Sequence, residues 1–100
     1  MKFICPLIAV EDIQRSRRFY EEVLGQRVKY DFGENVTFEG DFAIHLCSHF
    51  QQLLGGRPVK PGGNGYELYF EDDKVDELSL KLKEYGVNFV HEVREQPWRQ

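Results

Sequence analysis

The sequence predicts an α+β fold made of two related halves in tandem, the first βαβββ and the second βαβ. Three observations predict it. Apolar runs at residues 2–10 and 66–71 each lead into an acidic pair and then into a helical pattern. Glu11-Asp12 recurs as Glu71-Asp72 and Gly25 as Gly86, an offset of roughly 60 residues that marks an architectural repeat. Between the halves, strand-like runs broken by glycine turns add two strands to the first half.

The run at 2–10 reads as a strand buried on at least one face. Asp12 has the short acceptor side chain of an N-cap, and Ile13, Ser16, Tyr20, Val23 and Leu24 then fall at three- and four-residue spacings on one helical face. Gly25 supplies the left-handed residue that ends such a helix. Runs at 27–32, 35–39 and 42–47 read as strands, with Gly33-Glu34 and Gly40-Asp41 as hairpin turns. A short helical turn is expected at 49–54. Residues 55–65, rich in glycine and proline, read as a flexible connector. A strand at 66–71 then leads through Asp72 or Asp73, as cap, to a helix with Val75, Leu78, Leu82 and Tyr85 on its apolar face. Gly86 ends that helix, and 87–92 reads as a further strand. The resulting organisation is a first module over 1–54, the connector over 55–65 and a partial second module over 66–100.

A chain of 100 residues holds one modest core, and 14% aromatic residues give it bulky material to fill that core. The net charge of −4 argues against a nucleic-acid binder, because the densest basic group, Arg15, Arg17 and Arg18, is offset by Glu11, Asp12, Glu21 and Glu22. No apolar run approaches the length of a membrane span. Cys5 and Cys47 form no CxxC pair and no disulfide framework, which points to a reduced, cytoplasmic setting.

The string Leu7-Ile8-Ala9-Val10-Glu11-Asp12-Ile13 leading to Ser16, Phe19-Tyr20 and Leu24-Gly25 resembles the opening of the glyoxalase/bleomycin-resistance/dioxygenase superfamily, the vicinal oxygen chelate proteins. Glu67-Leu68-Tyr69-Phe70-Glu71 is similar to the opening strand of that family's second module, and Gln96-Pro97-Trp98 to the stretch before its last two strands. The resemblance implies tandem βαβββ modules around a small-molecule pocket, here with a C-terminally truncated second module that lacks its last two strands. A homodimer is expected, because an incomplete module leaves sheet edges to cover.

Strand alternation places Cys5, Leu7 and Ala9 on the pocket face of the first strand, Ala43, His45 and Cys47 on that of the fourth, and Glu67, Tyr69 and Glu71 on that of the fifth. By the resemblance, the metal-ligand positions are Cys5, His45 and Glu67, which suit zinc, nickel, manganese or iron, with Glu67 doubling as the catalytic base. Where the family commonly has His or Gln, this chain has Cys5, and the stretch that holds the fourth ligand is missing. The competing reading makes Cys5 a small buried hydrophobe and Glu67 a polar lining residue. His49 reads as a surface or connector residue, since alternate residues on a strand lie ~6.6 Å apart and three cannot converge on one ion. Leu7, Ala9, Phe42, Tyr69 and Trp98 are candidates for the pocket lining. Two functions remain open on these residues: a metal-dependent lyase or isomerase, and a non-catalytic drug- or metabolite-binding protein of the bleomycin-resistance kind. A degenerate module that serves only in assembly is a third.

Overall fold

The structure is a computed structural model that describes residues 1–62, 68–87 and 89. It divides into two units, Met1–Glu67 and Leu68–Gln100.

In the first unit, β1 (Leu7–Val10) is followed by α1 (Ile13–Arg18), which runs on without a break into a π-helical turn over Phe19–Val23. Then come β2 (Val28–Asp31), β3 (Asn35–Phe38), β4 (Phe42–Leu46) and α2 (Cys47–Leu53). The strands form one mixed sheet in the order β1-β4-β3-β2, with β1 parallel to β4 and the other pairs antiparallel. This is the βαβββ order that the sequence predicts.

Local chemistry accounts for the boundaries. The first strand starts at Leu7 rather than Lys2. Pro6 has no N–H to give a ladder, and its carbonyl accepts from the Ala43 N–H at 3.0 Å. Asp12 caps α1 as expected: its carboxylate accepts the Arg15 N–H at 3.0 Å. Asp12→Ala is therefore expected to cost about 1 kcal/mol and to lower the thermal midpoint by roughly 4–8 °C, whereas Asp12→Ser should hold within a few tenths. Thermal melts followed by circular dichroism test this, and equal midpoints for the alanine and serine variants would contradict it.

In the wide turn at Phe19–Val23, Tyr20 packs against the core and Val23 is buried, and Gly25, at φ 64°, closes the end while the Gln26 N–H reaches back to the Tyr20 carbonyl at 2.8 Å. The β3–β4 turn is closed by Asp41 at φ 63°, a left-handed position that aspartate tolerates better than most residues.

The core lies between α1 and one face of the sheet. Ile8, Val36, Phe38, Phe42 and Ile44 are buried there, with Val10, Ile13, Tyr20 and Val28 packed against them. Phe38 and Phe42 stack at 4.9 Å between ring centres, and Tyr20 meets both at 5.5 and 5.3 Å. Arg17 ties the helix to the sheet through the Asp31 carboxylate on the same side.

In the second unit the one regular element among the described residues is α3 (Val75–Glu84). It starts later than its acidic pair suggests. Asp72 accepts the Lys74 N–H at 2.8 Å in a side-chain turn, and Lys74 takes the cap position with no side-chain bond. Gly86, at φ 89°, ends the helix as expected, with the Val87 N–H on the Leu82 carbonyl at 3.1 Å. Residues 68–71 form no strand: a strand requires a ladder partner, and the described part of this unit offers none. Tyr66, Glu67 and most of the run at 87–92 lie outside the described residues. No helix of the described residues is long and apolar enough to cross a membrane.

Candidate functional site

The sheet face opposite the core carries the candidate site. Paired residues in a ladder project to the same side, so the register fixes which side chains share it. One row across the sheet is Leu7, Ala43, Thr37 and Tyr30, and a second is Ala9, His45 and Asn35. Leu7, Ala9 and His45 therefore fall on the side that strand alternation assigns to them. Phe42 does not. It alternates with Ala43, shares the core face with Ile44 and is buried against Phe38, so its expected place in the pocket lining is corrected.

The two rows meet different surroundings. Over the second row, α2 starts directly after β4 and turns back across it. That turn sets His49 Nδ1 2.8 Å from His45 Nε2 and stacks the Phe50 ring on the His45 imidazole at 5.3 Å between centres. His45 is 7% exposed as a result. Its pKa is lowered from the ordinary 6.5, first by burial and then by the charge of His49, while Glu34 acts in the opposite direction. Beside it in the row, Asn35 Oδ1 is buried without a hydrogen-bond partner among the described residues. Cys47 is buried too, and its thiol points to the Val59 carbonyl at 3.4 Å. Gln51 accepts the Val59 N–H at 3.0 Å, so this part of the connector is fastened to α2.

The first row opens onto a hollow of about 480 Å³ lined by Lys2, Phe3, Ile4, Cys5, Lys29, Tyr30, Phe32, Thr37 and Asp41. A β-bulge makes it. Val28 pairs with Phe38 on the core side, but the register shifts at Lys29, so Tyr30 pairs with Thr37 on the opposite side. Simple alternation would have put Val28 and Tyr30 together. Phe32 lies 5.9 Å from Tyr30 between ring centres, and Lys29 Nζ lies 5.6 Å from the Tyr30 ring.

The expected ligand set of Cys5, His45 and Glu67 is not assembled among the described residues. Ala9, not Cys5, stands beside His45, and Cys5 comes four residues earlier, up to roughly 13 Å away along extended chain. Cys5 lines the hollow instead. His45 spends its outward nitrogen on His49. Glu67, assigned as ligand and base, and Trp98 of the pocket list lie outside the described residues. Among the described residues no three of His, Cys, Asp and Glu gather in a way that could hold a metal ion. The zinc, nickel, manganese or iron implied by the resemblance thus does not fit the donors described. Tyr69 belongs to the second unit, where it borders a separate hollow of about 410 Å³ with Phe70, Glu71, Asp72, Asp73 and Val75.

Sequence reasoning missed His49 and the aromatic pair of the hollow. The four-residue spacing of His45 and His49 is the helical contact spacing, but its meaning depends on the strand ending at Leu46.

Comparison with known proteins agrees with this architecture. Residues 3–100 match the family described as Glyoxalase-like domain. A crystal structure of a protein of unknown function from Agrobacterium tumefaciens is 33% identical with a TM-score of 0.85, over 100% of this chain and 80% of that one. A member of the glyoxalase/bleomycin resistance protein/dioxygenase superfamily from Sphaerobacter thermophilus is 29% identical with a TM-score of 0.67, over 100% of this chain and 84% of its own. A glyoxalase/bleomycin resistance protein/dioxygenase from Nocardioides, at 19% identity, shares the fold with a TM-score of 0.66, over 98% of this chain and 71% of its own. No curated protein matches the sequence.

Proposed function

Since the chain belongs to the glyoxalase-like domain family, we propose that it acts as a small-molecule binding protein of the bleomycin-resistance kind, holding its ligand on the open face of the sheet. The observation that carries this reading is the hollow of about 480 Å³ over Tyr30, Phe32 and Thr37, which lies within the size range of small-molecule sites. It is concave and partly aromatic, with a few polar groups at its margin. The lyase reading needs a converged donor set, and the register separates Cys5 from His45.

Cys5 offers a reporter, because it lines the hollow half-buried while Cys47 is buried under Val59. A thiol reagent such as dithionitrobenzoate should react quickly with Cys5 and slowly with Cys47, since access limits thiol reactivity. A naphthalene-based ligand that fills the hollow is expected to slow the fast phase in a saturable way. A fast phase unaffected by any such ligand would contradict the binding reading. Near-stoichiometric zinc, nickel, manganese or iron in protein purified without added metal, and lost in His45→Ala, would return the chain to the enzyme class.

A further inference from the structure

We propose, on the footing of that binding reading, that the hollow selects flat aromatic molecules bearing a negative charge, such as aromatic carboxylates. The lining supplies both halves of this preference. Tyr30 and Phe32 are 54% and 65% exposed, with rings inclined by 30° to one another, so they present accessible aromatic surface to a flat ring. Beside them stand two cations, Lys2 and Lys29, against one anion, Asp41.

The local excess is positive although the chain as a whole carries −4. Neither lysine makes a salt bridge among the described residues; Lys29 lies over the Tyr30 ring, so no carboxylate there neutralises either charge. Lys29 Nζ lies over the Tyr30 ring at 5.6 Å from its centre, so the carboxylate of a ligand on the neighbouring aromatic surface would come within its reach. Thr37, beside Tyr30 in the row, adds a hydroxyl. Asp41, also in the lining, disfavours a second negative charge. The favoured ligand is therefore a monoanion.

The core requires neither lysine. Lys29 is the bulge residue and is exposed, and Lys2 precedes the sheet. Charge reversal at either leaves the packing between α1 and the sheet untouched.

The test uses the full chain and three isosteric probes: naphthalene carboxylate, naphthalene carboxamide and naphthylmethylammonium. Binding is followed by protection of the Cys5 thiol and by amide shifts of residues 29–37 in NMR titration. The carboxylate is expected to bind about five- to tenfold more tightly than the carboxamide with both lysines engaged, and the ammonium most weakly. The preference should shrink in molar salt and reverse in the Lys2→Glu/Lys29→Glu double variant. Equal binding of carboxylate and carboxamide, or a preference that the double variant leaves in place, overturns the ligand class while the pocket stands. Failure of all three probes to bind overturns the pocket reading along with it.

Discussion

Replacing Phe38 with alanine is expected to cost about 3–5 kcal/mol, a large part of the 5–15 kcal/mol that holds a typical domain together. Phe38 is 0% exposed and lies where three aromatic rings converge, stacked on Phe42 and met by Tyr20. Ile44 and Val36 close the same cluster from the neighbouring ladder positions. Deleting the ring removes its own burial and leaves a cavity that rigid β3 and β4 cannot collapse to fill. The loss should appear as a lower urea midpoint with little change in slope. Phe3→Ala is the contrast: Phe3 is 80% exposed at the margin of the hollow, and its loss should fall within about 0.5 kcal/mol. A Phe38→Ala cost below about 1 kcal/mol would mean that the core does not lie between α1 and this face.

Acidification is expected to destabilise the first unit through His45. Burial under α2, reinforced by His49, holds the His45 pKa below 6.5 in the folded chain. The unfolded chain therefore binds the proton more readily. The stability contributed by this site is fully present above the ordinary histidine pKa and is lost as the pH falls below it towards the lowered folded value. For one proton the slope is at most about 1.4 kcal/mol per pH unit. Each neighbour has a stated sign. His49→Ala removes an opposing charge and should flatten the slope. Glu34→Gln removes the carboxylate that favours the charged imidazole and should extend the loss. Urea midpoints between about pH 7.5 and 5 measure all three. If His45→Gln keeps the slope of the parent chain, the acid sensitivity has another source.

His45 and His49 also mark where reading the sequence stops. Alternation along β4 placed His45 on the face away from the core, and the register agrees. Its chemistry could not be read in the same way. An extended chain carries His45 and His49 apart, whereas a strand that becomes a helix at Cys47 folds one back on the other. No local residue announces that change, since Leu46 caps the helix without any side-chain bond. The ligand set implied by the resemblance depends on pairing in the same way. A motif aligned along the chain gives positions, but only the parallel pairing of β1 with β4 says which of them are neighbours, and it makes Ala9 the neighbour of His45.

The βαβββ order of the first half, the cap at Asp12, the helix stops at Gly25 and Gly86, and the two faces of β1 were legible in the chain alone. These are set by interactions within a few residues: a capping carboxylate, a left-handed glycine, a side-chain period of two. What the open face contains was not legible there, because it is set by packing between distant segments. The bulge at Lys29 turns Tyr30 away from the core and into the hollow, and α2 closes over His45. Both depend on how strands register against partners distant in sequence, where a slip of one residue moves a side chain to the other face of the sheet.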